Sequence, residues 1–303
     1  VGINRNRDNA GATAAKVPGI QGEAMKRDPF RIDGPTCISF SGGRTSAYML
    51  WRVLQSNGGL PDDAKVIFAN TGREDERTLL FVDECSRRWG VPIDWVEYAD
   101  SDLVAFRWAC VDYATASRHG QPFTALNRRK KYLPTAMQRY CTINLKILPA
   151  ANLMRDYGYS EWENLVGIRA DEQRRVAKIR AKPVDDAGCE RRMPLADVGI
   201  TKSDVMAFWR DQAFDLGDVA GNCDLCFLKP TGQLVSLIKE KPNRAVWWVQ
   251  EEAWAQTRVN DANSRGIHFR PNDPTYLQMQ QFAADQRDMF DAEEEAIACF
   301  CGD

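Results

Sequence analysis

Two stretches of this 303-residue chain have residue types at spacings that could do chemistry: Ser39-Phe40-Ser41-Gly42-Gly43-Arg44-Thr45-Ser46 and Cys223-Asp224-Leu225-Cys226. In the first, adjacent glycines let backbone approach a ligand, and serine and threonine add hydroxyl donors. If a helix starts at the end of that stretch, its unpaired N–H groups and positive dipole end face the same point. The chemistry is then anion binding, most naturally of a phosphate, and the plain structural alternative is a tight turn. The loop lacks the Gly-Lys-Ser/Thr ending of a Walker loop and the Gly-x-Gly-x-x-Gly of a dinucleotide fold. In the second stretch, paired cysteines suit a soft metal or a metal–sulfur cluster.

The remaining composition narrows the field. His119 and His268 are the only histidines, which leaves little for a histidine metal site or a histidine base. Nine cysteines, an odd number, occur without the apolar centre of a secretion signal near residue 1, so thiols, a metal or a catalytic cysteine are expected rather than a disulfide frame. No apolar run approaches the roughly 18 residues of a bilayer span, and a cytoplasmic protein without membrane contact is expected. Lys plus Arg number 40 against 42 Asp plus Glu, so a nucleic-acid partner would need a local basic patch. The run Arg128-Arg129-Lys130-Lys131 is a candidate, with a solvated face as its ordinary explanation.

The elements that must position these residues follow from apolar periodicity. Cys37–Phe40 reads as a buried strand, Ser41–Arg44 as a turn and Thr45–Leu54 as a helix with Ala47, Leu50, Trp51 and Leu54 on one face. The unit repeats with a strand at Lys65–Asn70, a helix at Arg77–Trp89 and a strand at Pro92–Tyr98. Residues 102–139 read as a helical excursion at the sheet's edge, 142–158 as a helix, and Glu163–Arg169 as a strand running into a loop. Thr201 to Asp204 forms an N-cap and first turn of a helix through Trp209 and Gln212. Strand–helix alternation predicts an α/β fold, a doubly wound parallel sheet with a Cys-rich C-terminal helical extension. The expected divisions are a flexible arm over 1–30, a nucleotide-binding α/β domain over 31–220 and a helical region carrying the Cys-x-x-Cys over 221–303. Trp247, Trp248 and Trp254 are expected in its core rather than as a stacking platform.

Ser41-Gly42-Gly43-Arg44-Thr45-Ser46 resembles the SGGxxS pyrophosphate loop of the PP-loop superfamily, which includes ATP pyrophosphatases, tRNA thiolation enzymes and phosphoadenosine phosphosulfate reductases. Phe68-Ala69-Asn70-Thr71-Gly72-Arg73-Glu74, Arg139-Tyr140-Cys141-Thr142 with Lys146-Ile147-Leu148-Pro149, and Gly167-Ile168-Arg169-Ala170-Asp171-Glu172 with Arg174 and Arg175 resemble later segments of the reductase family, in the family's order. The resemblance implies a Rossmann-like sheet binding ATP or another adenine nucleotide. Ser39, Ser41, Gly42, Gly43, Arg44, Thr45 and Ser46, with Asn70, Thr71, Gly72 and Gly167, would surround the ligand, and Arg169 and Arg175 would clamp its far end. A guanidinium suits phosphate or sulfate because it donates two parallel bonds. Many ATP pyrophosphatases carry aspartate where Thr45 stands, which bears on how Mg2+ would be handled.

In cluster-binding members of that family a Cys-Cys pair and a Cys-x-x-Cys hold a 4Fe–4S cluster. The resemblance therefore implies Cys141, Cys223 and Cys226 as metal ligands, with Thr142 standing where a further cysteine would be. Cys299 and Cys301 face one side of an extended tail, so either thiol could complete the set, and Cys301 is the expected fourth ligand. Alternatives are a tail thiol that attacks sulfur, three protein ligands with an open iron that binds hydrosulfide, or zinc in place of iron. The implied functions are ATP-driven sulfur transfer to tRNA or DNA, or sulfonucleotide reduction, with Arg169 and the tail cysteines in the reacting site. The rival is a non-catalytic nucleotide-sensing or nucleic-acid-binding module with a structural metal.

Overall fold

Short apolar runs buried on both faces build the first sheet strands. β1 (Thr36–Ser39) sends Ile38 toward one face and Cys37 toward the other. α1 (Arg44–Asn57), β2 (Ala64–Asn70), α2 (Glu76–Trp89) and β3 (Ile93–Glu97) continue the alternation, each strand parallel to the one before. The computed structural model describes residues 28–217, 219, 223–258 and 266–285. The arm expected over 1–30 lies outside these up to residue 27, while Phe30 is fully buried in the first core.

β4 (Ala109–Val111) turns back antiparallel on β3 and closes the edge. It is three residues long and mostly exposed, so it carried no alternation to read and fell inside the expected helical excursion. After α3 (Gln121–Lys130), one helix runs through α4 (Tyr140–Thr142), a π turn at Ile143–Ile147 and α5 (Leu148–Asp156). Pro149 has no N–H to give Leu145, and the ladder changes from i→i+5 to i→i+4 beside it. β5 (Glu163–Val166), α6 (Gln173–Ala181), β6 (Glu190–Arg192), α7 (Pro194–Asp197) and α8 (Lys202–Arg210) follow. Thr201 and Asp204 cap α8 reciprocally, as their spacing predicts.

The sheet order is β4-β3-β2-β1-β5-β6, all parallel except β4. Winding reverses between β1 and β5, which makes that crevice the switch point. On one face α1, α2 and α8 cover Ile38, Phe40, Val66 and Phe68. On the other, α5 brings Leu153 and Met154 onto Cys37, Ile67 and Val96. This is the doubly wound α/β arrangement.

A second apolar cluster joins α3 and the start of the π-turn helix to α9 (Thr231–Glu240), α10 (Val246–Gln256) and α11 (Tyr276–Asp285), so it straddles residue 220. Trp248 is fully buried there and stacks on Tyr276, and Trp247 is 8% exposed. The basic run serves this packing. Arg128 pairs with buried Glu251 and lies over the Trp254 ring, and Arg129 pairs with Asp100. Among the described residues no helix is long and apolar enough to cross a membrane.

Candidate functional site: a phosphate loop and a cavity at the switch point

The loop after β1 is shaped by two close approaches. Gly42 has φ +77°, and a Cβ there would lie 2.6 Å from Thr78 Cγ2. Gly167, at the end of β5, sits so close to α1 that a Cβ would lie 3.0 Å from Ser46 Cα. Both glycines therefore let the loop lie flat against its neighbours. Ser46 is buried and ties the loop together: its Oγ accepts from Ser41 N–H (3.1 Å), contacts Ser41 Oγ (3.0 Å) and donates to the Gly43 carbonyl (2.9 Å). Gly43 is the N-cap of α1 in extended conformation. It supplies no side chain, and no acidic residue occupies the first turn. The N–H groups of that turn remain available to an anion.

The loop opens on a cavity of about 400 Å³ running over the α5-covered face of the sheet. Ser39, Ser41, Gly43, Arg44, Thr45, Gly167, Arg169 and Arg175 line it. Arg169 Nη1 donates to Thr45 Oγ1 (3.1 Å), while its Nε pairs with Asp171 (3.0 Å). Arg175 Nη1 bonds Glu172 (2.6 Å), whose other oxygen accepts from Arg169 N–H (2.9 Å). The Arg44 guanidinium turns away to a two-pronged pair with Asp215, whose carboxyl it holds below the ordinary range. Arg44 therefore presents backbone to the cavity.

Several expected ligands stand elsewhere. Gly42 and Ser46 shape the loop from behind the cavity wall. Asn70, Thr71 and Gly72 are also off the wall. Their polar groups are consumed internally. Asn70 bonds Glu97 and the Ser117 carbonyl, Thr71 bonds buried Glu74, and Gly72 accepts from Gly120 N–H (2.8 Å). A Cβ on Gly72 would meet Gly120 Cα at 3.1 Å.

Sequence reasoning did not single out other wall residues as ligands. Thr142 and Lys146 enter from the π-turn helix, Asn164 from β5 and Asp185 from the turn before β6. Lys229 and Gln233 enter from the Cys-x-x-Cys side. Lys229 is 3% exposed, and its Nζ donates to the Cys223 carbonyl. Gln233 Oε1 is buried with no hydrogen-bond partner. Two thiols also border the cavity. Burial pushes both Cys37 and Cys189 up to about 12, so they stand protonated at neutral pH.

Cys223 and Cys226 are buried, and Cys141 is half-buried against the second apolar cluster. Cys223 Sγ lies 3.8 Å from Thr71 Oγ1 and 4.0 Å from the Glu74 carboxylate. Among the described residues, no three His, Cys, Asp or Glu side chains gather as metal ligands, so these three thiols do not by themselves form a cluster site. Cys299 and Cys301 lie outside the described residues. For Mg2+, the acids on the described wall are Glu172 and Asp185, and Glu172 is already occupied by Arg169 and Arg175. The wall does not fit a protein-held magnesium.

With this geometry in hand, the comparisons place the chain. Residues 35–216 match the family model of the phosphoadenosine phosphosulfate reductase domain, and the chain belongs to that family. The uncharacterized nin region protein ORF290 of Escherichia phage lambda is 31% identical over 213 residues, spanning 67% of this chain and 69% of that protein. The U34-tRNA thiolase NcsA from Methanococcus maripaludis, solved with its 4Fe–4S cluster, aligns over 84% of this chain and 83% of its own. Its identity is 10% and its TM-score 0.37, too low to bear on the site.

Proposed function

We propose that this chain is a PP-loop enzyme that binds an adenine nucleotide in the switch-point cavity and catalyses substitution on it. The carrying observation is the convergence of Arg169 with the first turn of α1, Nη1 to Thr45 Oγ1 at 3.1 Å, from opposite sides of the β1–β5 crevice. Charge-assisted donors so placed hold phosphate oxygens while the apolar floor of Ile67, Ala69 and Ala150 accepts a base. Family membership, in a family named for an adenine nucleotide, supports the same reading.

With ATP, an acceptor oxygen attacks the α-phosphorus, the bond to the bridging oxygen breaks, and pyrophosphate leaves as the acceptor becomes adenylated. Sulfur then displaces AMP. The α1 N–H groups, Ser41, Thr45 and Arg169 stabilise the charge that builds on the phosphate oxygens. A tRNA or DNA acceptor is the form of this reading that the resemblance suggests. Sulfonucleotide reduction is the second reading, supported by the family match. It requires one thiol to attack sulfur, displacing the nucleotide phosphate and forming a thiosulfonate, and a second thiol to release sulfite as a disulfide forms. The two wall thiols are protonated and poor nucleophiles, which favours the ATP reaction for the described residues.

A 4Fe–4S cluster on Cys141, Cys223, Cys226 and Cys301 is a separate proposal, supported by the thiol chemistry of that set. Bound, it would carry or activate sulfur, and no step above depends on it. Anaerobically purified protein is expected to contain iron and acid-labile sulfide, whereas stoichiometric zinc without iron would remove the cluster. The enzymatic reading is tested by pyrophosphate release from ATP against sulfite release from adenylyl and phosphoadenylyl sulfate. No turnover of any of them, with binding retained, leaves a sensing module.

A further inference from the structure

The polar groups around Asp185 on the cavity wall are built in a way that phosphate binding does not explain. Asp185 is 8% exposed and lines the cavity. Its turn is tight: Asp185 N–H donates to the Cys189 carbonyl (2.9 Å) and Gly188 N–H to the Asp185 carbonyl (3.1 Å). Oδ1 accepts Ala187 N–H (2.8 Å) and Cys189 N–H (3.0 Å). Oδ2 accepts one longer bond, from Asn164 Nδ2 at 3.2 Å. Asn164 Oδ1 in turn accepts from Ser39 Oγ at 2.7 Å, so the relay runs from Asp185 to the strand end that carries the phosphate loop. The carboxylate makes no salt bridge among the described residues.

An ionised carboxylate offers about four acceptor positions, and three are filled here. The fourth, on Oδ2, belongs to a buried group on the cavity wall, where an incoming donor gains most and an incoming acceptor is repelled. Charge also orients the ligand. Arg169, Arg175 and the α1 N-terminus draw phosphates, and the Asp185 carboxylate repels them, while Arg191, also on the wall, turns its guanidinium to the Lys182 and Pro183 carbonyls. The end of a nucleotide that reaches Asp185 is its base, and a carboxylate accepts there from an exocyclic amino group or a protonated ring nitrogen, of which adenine offers only its 6-amino group on that edge.

We infer that Asp185, positioned by Asn164 and Ser39, is a specificity-determining residue that accepts a hydrogen bond from the 6-amino group of the bound purine and excludes 6-oxo purines. This rests on the adenine-nucleotide reading above. With the base seated, all four acceptor positions are used. A 6-oxo base seated in the same place instead sets its carbonyl oxygen against Oδ2 with no donor between them, and it can offer its N1–H only by shifting in the cavity. Purine riboside, which has neither group, leaves only the Asp185 position unfilled.

The test is calorimetric titration of the full chain with ATP, inosine triphosphate, purine riboside triphosphate and 2′-deoxy-ATP. The wild type should bind purine riboside triphosphate roughly tenfold more weakly than ATP, and inosine triphosphate more weakly still, by a further factor of about ten. It should bind 2′-deoxy-ATP like ATP. Asp185→Asn keeps an oxygen for the Ala187 and Cys189 N–H groups and turns a donor toward the base. It should narrow or invert the preference for ATP over inosine triphosphate by at least about tenfold. Equal wild-type affinities for ATP and inosine triphosphate overturn the assignment while the nucleotide reading stands. A loss confined to 2′-deoxy-ATP overturns it in favour of ribose contact, and an equal loss of both triphosphates in Asp185→Asn reduces Asp185 to a turn former. Absence of binding by any of the four overturns the nucleotide reading itself. The wild-type series needs no variant, so it decides the matter even if Asp185→Asn does not fold.

Discussion

Gly42→Ala separates two costs that the loop geometry predicts to be of similar size. The residue has φ +77°, where a side chain costs about 1–2 kcal/mol because Cβ crowds the following carbonyl. The added carbon would also lie 2.6 Å from Thr78 Cγ2, 3.1 Å from Phe68 and 3.2 Å from Val82, all buried. Thr78 is β-branched and sits in α2, so it does not swing aside freely, and overpacking of this kind costs about 1–3 kcal/mol. Together the loss is about 2–5 kcal/mol, which for a chain this size lowers Tm by roughly 4–20 °C. Thr78→Ser removes the offending methyl. In the Gly42→Ala/Thr78→Ser double variant the contact component should return while the backbone component stays, giving a coupling energy of about 1–2 kcal/mol in a double-mutant cycle. Denaturant unfolding of the four proteins measures it. Below the transition, ATP affinity of Gly42→Ala should fall at least roughly tenfold, because Gly43 and α1 move with the loop. Additive effects in the cycle would show that Thr78 is not the obstacle. A stable Gly42→Ala protein with full affinity would show that the loop is not held in this conformation.

Three further outcomes follow from the site. Arg169→Lys, which cannot hold Thr45 and Asp171 together, should weaken ATP binding roughly tenfold with little change in Tm, and unchanged affinity in calorimetry would remove Arg169 from the site. Arg44 lowers the Asp215 carboxyl, so the pair stabilises the fold above the ordinary carboxylate value of about 3.9 and loses this as pH falls through the lowered value. The half-exposed pair is worth at most about 1 kcal/mol, and the Tm difference between wild type and Asp215→Asn should be constant from pH 6 to 8 and shrink as pH falls below the ordinary carboxylate value. In iodoacetamide labelling at pH 8 read by peptide mass, exposed Cys110 should react while Cys37, Cys85 and Cys189 stay unlabelled until the protein unfolds, and early labelling of Cys37 would mean the cavity wall is open.

The parts legible from sequence are those that local pattern determines. Strands such as Ala64–Asn70 and caps such as Thr201 with Asp204 are properties of consecutive residues, and the Gly-Gly loop between a strand and a helix carries its chemistry in its own backbone. What failed to read was placement across the sheet. Asn70-Thr71-Gly72 follows a strand as Ser41-Gly42-Gly43 does, but its polar groups bond Glu97, Glu74 and Gly120, partners that no local spacing announces. Asp185 gave no signal either, since its position depends on the turn before β6 folding back onto Asn164, and no spacing within 182–189 announces that partner. The π turn was equally silent: residues 142–158 read as one helix, and nothing in that run announces the shift beside Pro149 that accompanies Thr142 and Lys146 on the wall.

The cavity and the Cys-x-x-Cys turn are mechanically joined, and Lys229 is the joint. Its ammonium is buried at the cavity wall and donates to the Cys223 carbonyl, while Asp224 N–H donates to the Arg73 carbonyl (2.7 Å) in the loop after β2. Asp224 and Asp75 flank buried Arg244, which fixes that turn to the start of α2. A buried ammonium needs negative charge or several acceptors nearby, and the described structure gives Lys229 one carbonyl and the charge of Asp224. A phosphate in the cavity would add to that charge. Ligand binding at the loop should therefore stiffen the Cys223–Cys226 turn through this lysine, and a metal bound at that turn should in return favour the nucleotide-bound arrangement, since such coupling is reciprocal.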